Sequence, residues 1–183
     1  NIKTNKRIRM NINQLREQLK IDEGVKYEVY DDHLGYKTFG IGHLVTAKDE
    51  EYGANVGHPV SEERVNAVFD KDVETYITES KKVFSNLDEL HEEAQQVIVN
   101  MCFNMGAPRL SNFKKFVAAV NDGNWSTAAV EMMDSRWAKQ VGVRAERLRD
   151  RISALSNWTP TPINDEFKKQ RDDLNDMYSK KGI

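Results

Sequence analysis

Two carboxylates nine residues apart, Glu23 and Asp32, are spaced for acid–base work. Glu23 precedes Gly24, where a helix is expected to end, so it faces the negative end of the helix dipole. That position disfavours the ionised carboxylate and suits a general acid working near neutral pH. Asp32 stands at the tip of an expected hairpin, where water and backbone N–H groups keep an aspartate charged. One protonated and one ionised carboxyl are the usual requirement for cleaving a glycosidic bond. The residue types leave a plainer reading open. Asp31 and Asp32 could simply shape the turn, and Thr38 could be a β-preferring strand residue. Gly40 and Gly42 could mark a bulge or ordinary turn chemistry.

The elements that must position these groups are legible from periodicity. Asn13 can cap a first helix whose apolar stripe is Ile12, Leu15, Leu19 and Ile21, with Gly24 closing it. Val25, Tyr27 and Val29 then alternate, and after a break at 31–35 a second β-type run extends from Tyr36 to Leu44. This predicts a hairpin or a small three-stranded antiparallel sheet. Residues 46–60 form a polar loop. Ser61-Glu62-Glu63 is a strong helix start, followed by Val65, Val68, Phe69, Val73, Tyr76 and Ile77 at helical spacing. Beyond it every stripe is helical: Ala94 to Met105, Phe113 to Val120, Trp125 to Met133, and Val143, Leu148, Ile152 and Leu155. Helices this short must pack on one another.

The expected fold is therefore α+β and two-lobed. Residues 1–10 are a lead-in and 11–158 one domain, divided into a small lobe (11–60), a linking helix (61–80) and a helical lobe (81–158) on which the first helix packs. Residues 159–183 read as a stiff "TPTP" linker and a polar C-terminal helix with Phe167, Leu174, Met177 and Tyr178 on one side. A groove between lobes is a natural ligand site.

The 183 residues suffice for one sizeable core, and 39% hydrophobic with 31% charged residues describe an ordinary globular chain. The longest apolar run, "FVAAV", is too short to span a membrane, and no basic-then-apolar leader precedes it. The single cysteine, Cys102, excludes an internal disulfide and reads as a core residue. The net charge of -2 hides segregation: residues 1–20 and 136–151 are basic, and 61–93 acidic. A basic face could meet an anionic polymer such as cell wall or nucleic acid, though solvated helix faces account for the same pattern. His33, His43, His58 and His91 are scattered without ligand spacing, so no metal site is expected.

The ordered set Glu23-Gly24, Tyr30, Asp31-Asp32, Gly35-Tyr36, Thr38 and Gly40-Ile41-Gly42-His43-Leu44 resembles the phage-type lysozymes of glycoside hydrolase family 24. "NMCFNMG" (100–106), "SRW" (135–137), Arg144 and the late "NW" ending at Trp158 continue the likeness. It covers roughly residues 11–158 in the family's order.

The resemblance implies a muramidase that hydrolyses the β-1,4 bond between N-acetylmuramic acid and N-acetylglucosamine in peptidoglycan, without a cofactor. Glu23 would protonate the leaving oxygen, and Asp32 with Thr38 would hold and activate the attacking water. Family members of this type invert the anomeric centre in one displacement, whereas a retaining enzyme holds its carboxyls closer together. Arg144 would lie beside Glu23 from the helical lobe, His43 would pair with Asp72, and Leu44 and Phe103 would contact saccharide. The partner implied is bacterial peptidoglycan, met by a monomer that binds no nucleic acid and does not insert into membrane. The enzyme would be made in the infected host's cytoplasm and act in the periplasm after release by a holin.

The chain also departs from the family. The segment between His43 and the linking helix is short, Phe116 and Glu131 stand at two sugar-contact positions, the net charge is acidic, and 159–183 extend past the family's ending. Alternatives are a tail-associated lysozyme used at entry, a non-catalytic peptidoglycan-binding module, and a zinc-dependent wall amidase. Intact Glu23, Asp32 and Thr38 argue against the binding module, which has no need of all three.

Overall fold

The computed structural model describes residues 9–158. The expected linker and C-terminal helix at 159–183, and most of the expected lead-in, lie outside these residues. The first helix, α1, spans Ile12–Glu23. Its cap is Asn11, two residues before the expected Asn13: the Asn11 side chain accepts from the Gln14 N–H at 3.0 Å. Leu15 and Leu19 are buried, but Ile12 and Ile21 are exposed, so the apolar stripe is narrower than the sequence suggested. Gly24 ends the helix at φ 74°, its N–H reaching the Lys20 carbonyl at 2.9 Å.

Three antiparallel strands follow in the order β1-β2-β3: β1 Lys26–Asp31, β2 Lys37–Gly40 and β3 His43–Leu44. Opposite pairs are Tyr30 with Thr38, Asp31 with Lys37, Thr38 with Leu44, and Phe39 with His43. Of the alternating Val25, Tyr27 and Val29, only Val29 is buried. The register shifts between Lys26 and Tyr30, and such an irregularity turns neighbouring side chains away from the face that alternation predicts. The free edge of β1 is covered by the end of the 46–60 loop. The Val29 N–H donates to the His58 carbonyl and the Val60 N–H to that of Tyr27, each at 2.9 Å.

Helix α2, Glu62–Val83, is about 33 Å long at 1.5 Å per residue and carries the chain from the sheet to the helical lobe. Ser61 caps it by accepting from the Arg64 N–H at 3.1 Å, with Glu62 and Glu63 in its first turn and Lys81 and Lys82 in its last. Val65, Val68, Phe69 and Val73 bury its inner face.

Helix α3, Glu92–Met105, is the axis of the second lobe and is buried at every position from Ala94 to Phe103, the polar Gln95, Gln96 and Asn100 included. Around it lie α4 Ala107–Ser111, α5 Lys114–Asn121, α6 Trp125–Met133, α7 Arg136–Val141 and α8 Val143–Ala154. Helix α1 precedes the sheet in the chain but bonds to α3: the Asn11 N–H meets Glu92 at 2.9 Å, and Gln96 meets Gln14 at 2.9 Å. Along α8 and the residue that follows it, the expected stripe holds at Leu148, Ile152 and Leu155, but its first position differs. Val143 is exposed and Arg144 is buried, one turn before Leu148. Among the described residues no helix is long and apolar enough to cross a membrane.

Candidate active site

A cleft of about 590 Å³ opens between the sheet and α3, with Glu23, Asp32, Thr38, Gly42, Leu44 and Phe103 among the residues lining it. The β-ladder builds one wall: Tyr30, Thr38 and Leu44 stand opposite one another on three successive strands, and all three line the cleft. Leu44 is half exposed there, while Phe103 is buried in the opposite wall and meets Phe69 edge-on at 6.2 Å.

Glu23 is the last residue of α1, so the carboxyl does stand at the negative end of its helix. Arg144 approaches it from α8, with Nη1 donating to Oε1 at 2.6 Å. The guanidinium is itself held: Nε donates to Asn100 Oδ1 at 3.0 Å, and Nη2 to the Asn100 carbonyl at 3.3 Å. Its Nε also lies 3.6 Å from the Asp22 carboxylate, whose side chain is wholly buried. Asp22 in turn accepts from Asn100 Nδ2 at 2.8 Å and from Arg147. The other oxygen of Glu23, Oε2, lies over Gly42, only 2.9 Å from where a Cβ would stand. Glycine is required here twice over, for that approach and for its φ of 67°.

Asp32 folds the hairpin around one of its oxygens. Oδ1 accepts from the Leu34 N–H at 2.8 Å and the Tyr36 N–H at 2.9 Å. Its Oδ2 takes no hydrogen bond from the described residues, and Asp32 lines the cleft. Asp31 is not in the turn, contrary to expectation: it ends β1 opposite Lys37, whose Nζ it meets at 2.8 Å. Thr38 is buried, and its hydroxyl donates to the Tyr36 carbonyl at 3.0 Å. Its O–H is thereby engaged, which leaves its lone pairs free to accept. Tyr30 lies among these groups with Lys26 Nζ 4.1 Å over its ring. Burial above all, then the charges of Glu23 and Asp32, push the Tyr30 phenol above its ordinary pKa.

His43 does meet Asp72, Nδ1 to Oδ2 at 2.7 Å. Sequence reasoning missed its second partner, Asp49, at 3.1 Å from Nε2. Burial pulls the imidazole pKa down, but the bonds to Asp72 and Asp49 outweigh it and hold His43 above its ordinary value. Asp49 also accepts from the Thr46 N–H and hydroxyl at 2.8 and 2.9 Å. The buried Glu51 accepts two bonds from Arg64, both at 2.9 Å. These contacts pin the 46–60 loop to α2, and nothing local in the sequence marks Asp49 or Glu51 apart from other loop acids. Asp22 was likewise missed: an acid beside a helix end carries no sign of burial until α8 is placed.

Of the two departures, Phe116 is a core residue packed edge-on against Phe84 at 6.2 Å. Glu131 is part-buried, and both residues line a second hollow of about 500 Å³, away from Glu23, with Lys114, Lys115 and Arg136.

A family model described as phage lysozyme matches residues 20–154. The chain is similar to "Probable T4-type lysozyme 1" of Dictyostelium discoideum, 34% identical over 170 residues, 81% of this chain and 96% of that protein. It is similar to "Probable T4-type lysozyme 2" of the same organism, 31% identical over 159 residues, 75% of this chain and 92% of that one. It also matches the "Pre-baseplate central spike protein Gp5" of Enterobacteria phage T4 at 28% identity, over 73% of this chain but 26% of that protein.

Proposed function

The chain belongs to the phage lysozyme family and is a glycosidase, and from that premise we propose that it cleaves peptidoglycan by a single inverting displacement. The bond is the β-1,4 link between N-acetylmuramic acid and N-acetylglucosamine. The observation that carries this reading is the pairing of Glu23 and Asp32 on one cleft, Glu23 held at Oε1 by Arg144 and Asp32 at Oδ1 by two backbone N–H groups.

Glu23 passes its proton to the glycosidic oxygen as that oxygen leaves the anomeric carbon. Water enters from the other face. Because the Thr38 O–H donates its hydrogen bond to the Tyr36 carbonyl, the hydroxyl oxygen accepts from this water. The water then donates one proton to Thr38 and the other to Asp32, and its lone pair points at the anomeric carbon. Asp32 takes the proton as the new C–O bond forms, and solvent exchange returns both carboxyls to their starting states. Arg144 orients Glu23, and Leu44 and Phe103 contact the saccharide. No cofactor enters the scheme.

In its biological setting the enzyme is a monomeric endolysin, made in the infected host's cytoplasm and acting on the periplasmic wall after a holin opens the way. The match to a baseplate spike protein supports a second setting, a tail-associated lysozyme used at entry.

Clearing of chloroform-permeabilised Gram-negative cells tests the activity: the wild-type protein clears them, and Glu23→Gln does not. New reducing ends that persist with chelator separate a glycosidase from a zinc amidase. Proton NMR of the first product reads the anomer, α for inversion, and an initial β product rejects the single displacement.

A further inference from the structure

Tyr76 has no part in the scheme above, yet it lines the same cleft as Glu23. It sits on α2, part-buried, one turn after Asp72. Its ring packs on Phe103, centroids 4.9 Å apart and planes at 51°. Phe103 rests in turn on Phe69, so the core fixes the tyrosine ring from below. The hydroxyl is held differently. No described residue bonds it, and no buried side-chain polar atom among the described residues lacks a partner, so Oη reaches solvent. Burial first, then nearby Asp72, Cys102, Glu23 and Glu79, raise the phenol pKa above 10, so the group keeps its proton at any pH where the carboxyl pair works. A rigid aromatic body with a neutral polar tip, open to a ligand cleft, is the usual means of orienting a polar ligand over an apolar floor.

We infer that Tyr76 is a substrate-contacting residue of the cleft floor, its hydroxyl bonding a neutral hydroxyl or acetamido group of the bound saccharide while its ring backs Phe103. This rests on the saccharide reading of the cleft. It adds to Leu44 and Phe103, which offer only apolar surface, a hydrogen bond that registers the sugar chain.

The test is the affinity of a soluble tetrasaccharide of alternating N-acetylglucosamine and N-acetylmuramic acid, measured by calorimetry on Glu23→Gln and on Glu23→Gln/Tyr76→Phe. Loss of one neutral hydrogen bond raises Kd about 3- to 10-fold. The phenylalanine keeps the ring contact, so Tm is unchanged. With Glu23 restored, Tyr76→Phe raises KM by a similar factor and leaves kcat near that of the wild type. Equal Kd in the two variants overturns the assignment, as does a fall in Tm with no change in Kd, which makes Tyr76 a packing residue. No binding by Glu23→Gln also overturns it. Wild-type protein that binds the tetrasaccharide without cutting it sinks the glycosidase mechanism instead and leaves the Tyr76 contact standing.

Discussion

Arg144 and Glu23, 121 residues apart, form an ion pair at 2.6 Å in which each partner stands at the wrong end of its own helix. Glu23 closes α1, where the dipole is negative, and Arg144 lies in the first turn of α8, where it is positive. Each charge answers the helix end that disfavours the other. Asn100 and the buried Asp22 fix the guanidinium, so the geometry of the acid is set from the helical lobe.

Arg144→Ala therefore leaves two acids, Asp22 and Glu23, without their shared cation. Breaking a buried pair of this kind costs about 3 kcal/mol or more. Urea unfolding should show that loss, and hydrolysis at a temperature where the variant is still folded should fall as well. Arg144→Lys should recover less than half of the lost stability, because one ammonium cannot reach Glu23, Asn100 and Asp22 together. Wild-type stability in Arg144→Lys would show that the fork geometry is unimportant.

Asp31 and Asp32 are adjacent but should separate cleanly. Asp32→Asn keeps an acceptor for the Leu34 and Tyr36 N–H groups but cannot take the water's proton. Its hydrolysis rate should fall about 100-fold or more with little change in Tm. Asp31→Asn removes a half-exposed pair with Lys37, worth less than about 1 kcal/mol, and should keep most of the activity. The reverse ranking in a reducing-end assay would exchange their roles.

Gly42→Ala and Gly123→Ala distinguish strain from obstruction. Both sites have positive φ, 67° and 68°, so each substitution costs about 1–2 kcal/mol of backbone strain. At Gly123 nothing lies within 4 Å of the new carbon, whereas at Gly42 it meets Glu23 Oε2. Thermal melts should shift by similar amounts, but only Gly42→Ala should lose most of its hydrolysis rate. Equal activity in both would mean that Glu23 is free to move.

His43 makes stability depend on pH in a stated direction. Its folded pKa lies above the ordinary imidazole value of about 6.5, so its contribution is full below that pH and is lost as pH rises through the folded value. The Asp49 carboxyl is shifted the other way. Burial opposes this, but the Thr46 backbone N–H, His43 and the Thr46 hydroxyl hold it below its ordinary value of 3.8. Its contribution is present above that pH and is lost as pH falls through the lowered value. The Tm gap between wild type and His43→Asn should be widest between about pH 4 and 6 and close as pH rises through the raised imidazole pKa. A gap that widens as pH rises above about 6.5 would contradict the assigned charge.

The order of elements was legible because each rule that made it is local. A serine with two acids after it starts α2, apolar residues at helical spacing run through α2 and α3, and a glycine stops α1. Boundaries and faces were less legible where neighbours outvote spacing. The cap of α1 is Asn11 rather than Asn13, Ile21 is exposed, and Arg144 rather than Val143 turns inward. Burial of a charged residue depends on partners, and the partners of Arg144 lie on α1 and α3.

By itself the sequence singled out Glu23, Asp32 and Thr38 as candidates, through the family pattern they belong to, and all three lie within sixteen consecutive residues around a turn that the Asp32 carboxylate folds. Only the tertiary structure decided what holds them and what completes the cleft. Asp22 and Asn100 as anchors of Arg144, Asp49 on His43, Glu51 on Arg64 and Tyr76 behind Phe103 all depend on elements distant in the chain. The physical reason is that a carboxylate's partner, or a phenol's exposure, is set by which surfaces the hydrophobic core brings together, and periodicity along one element contains no record of that choice.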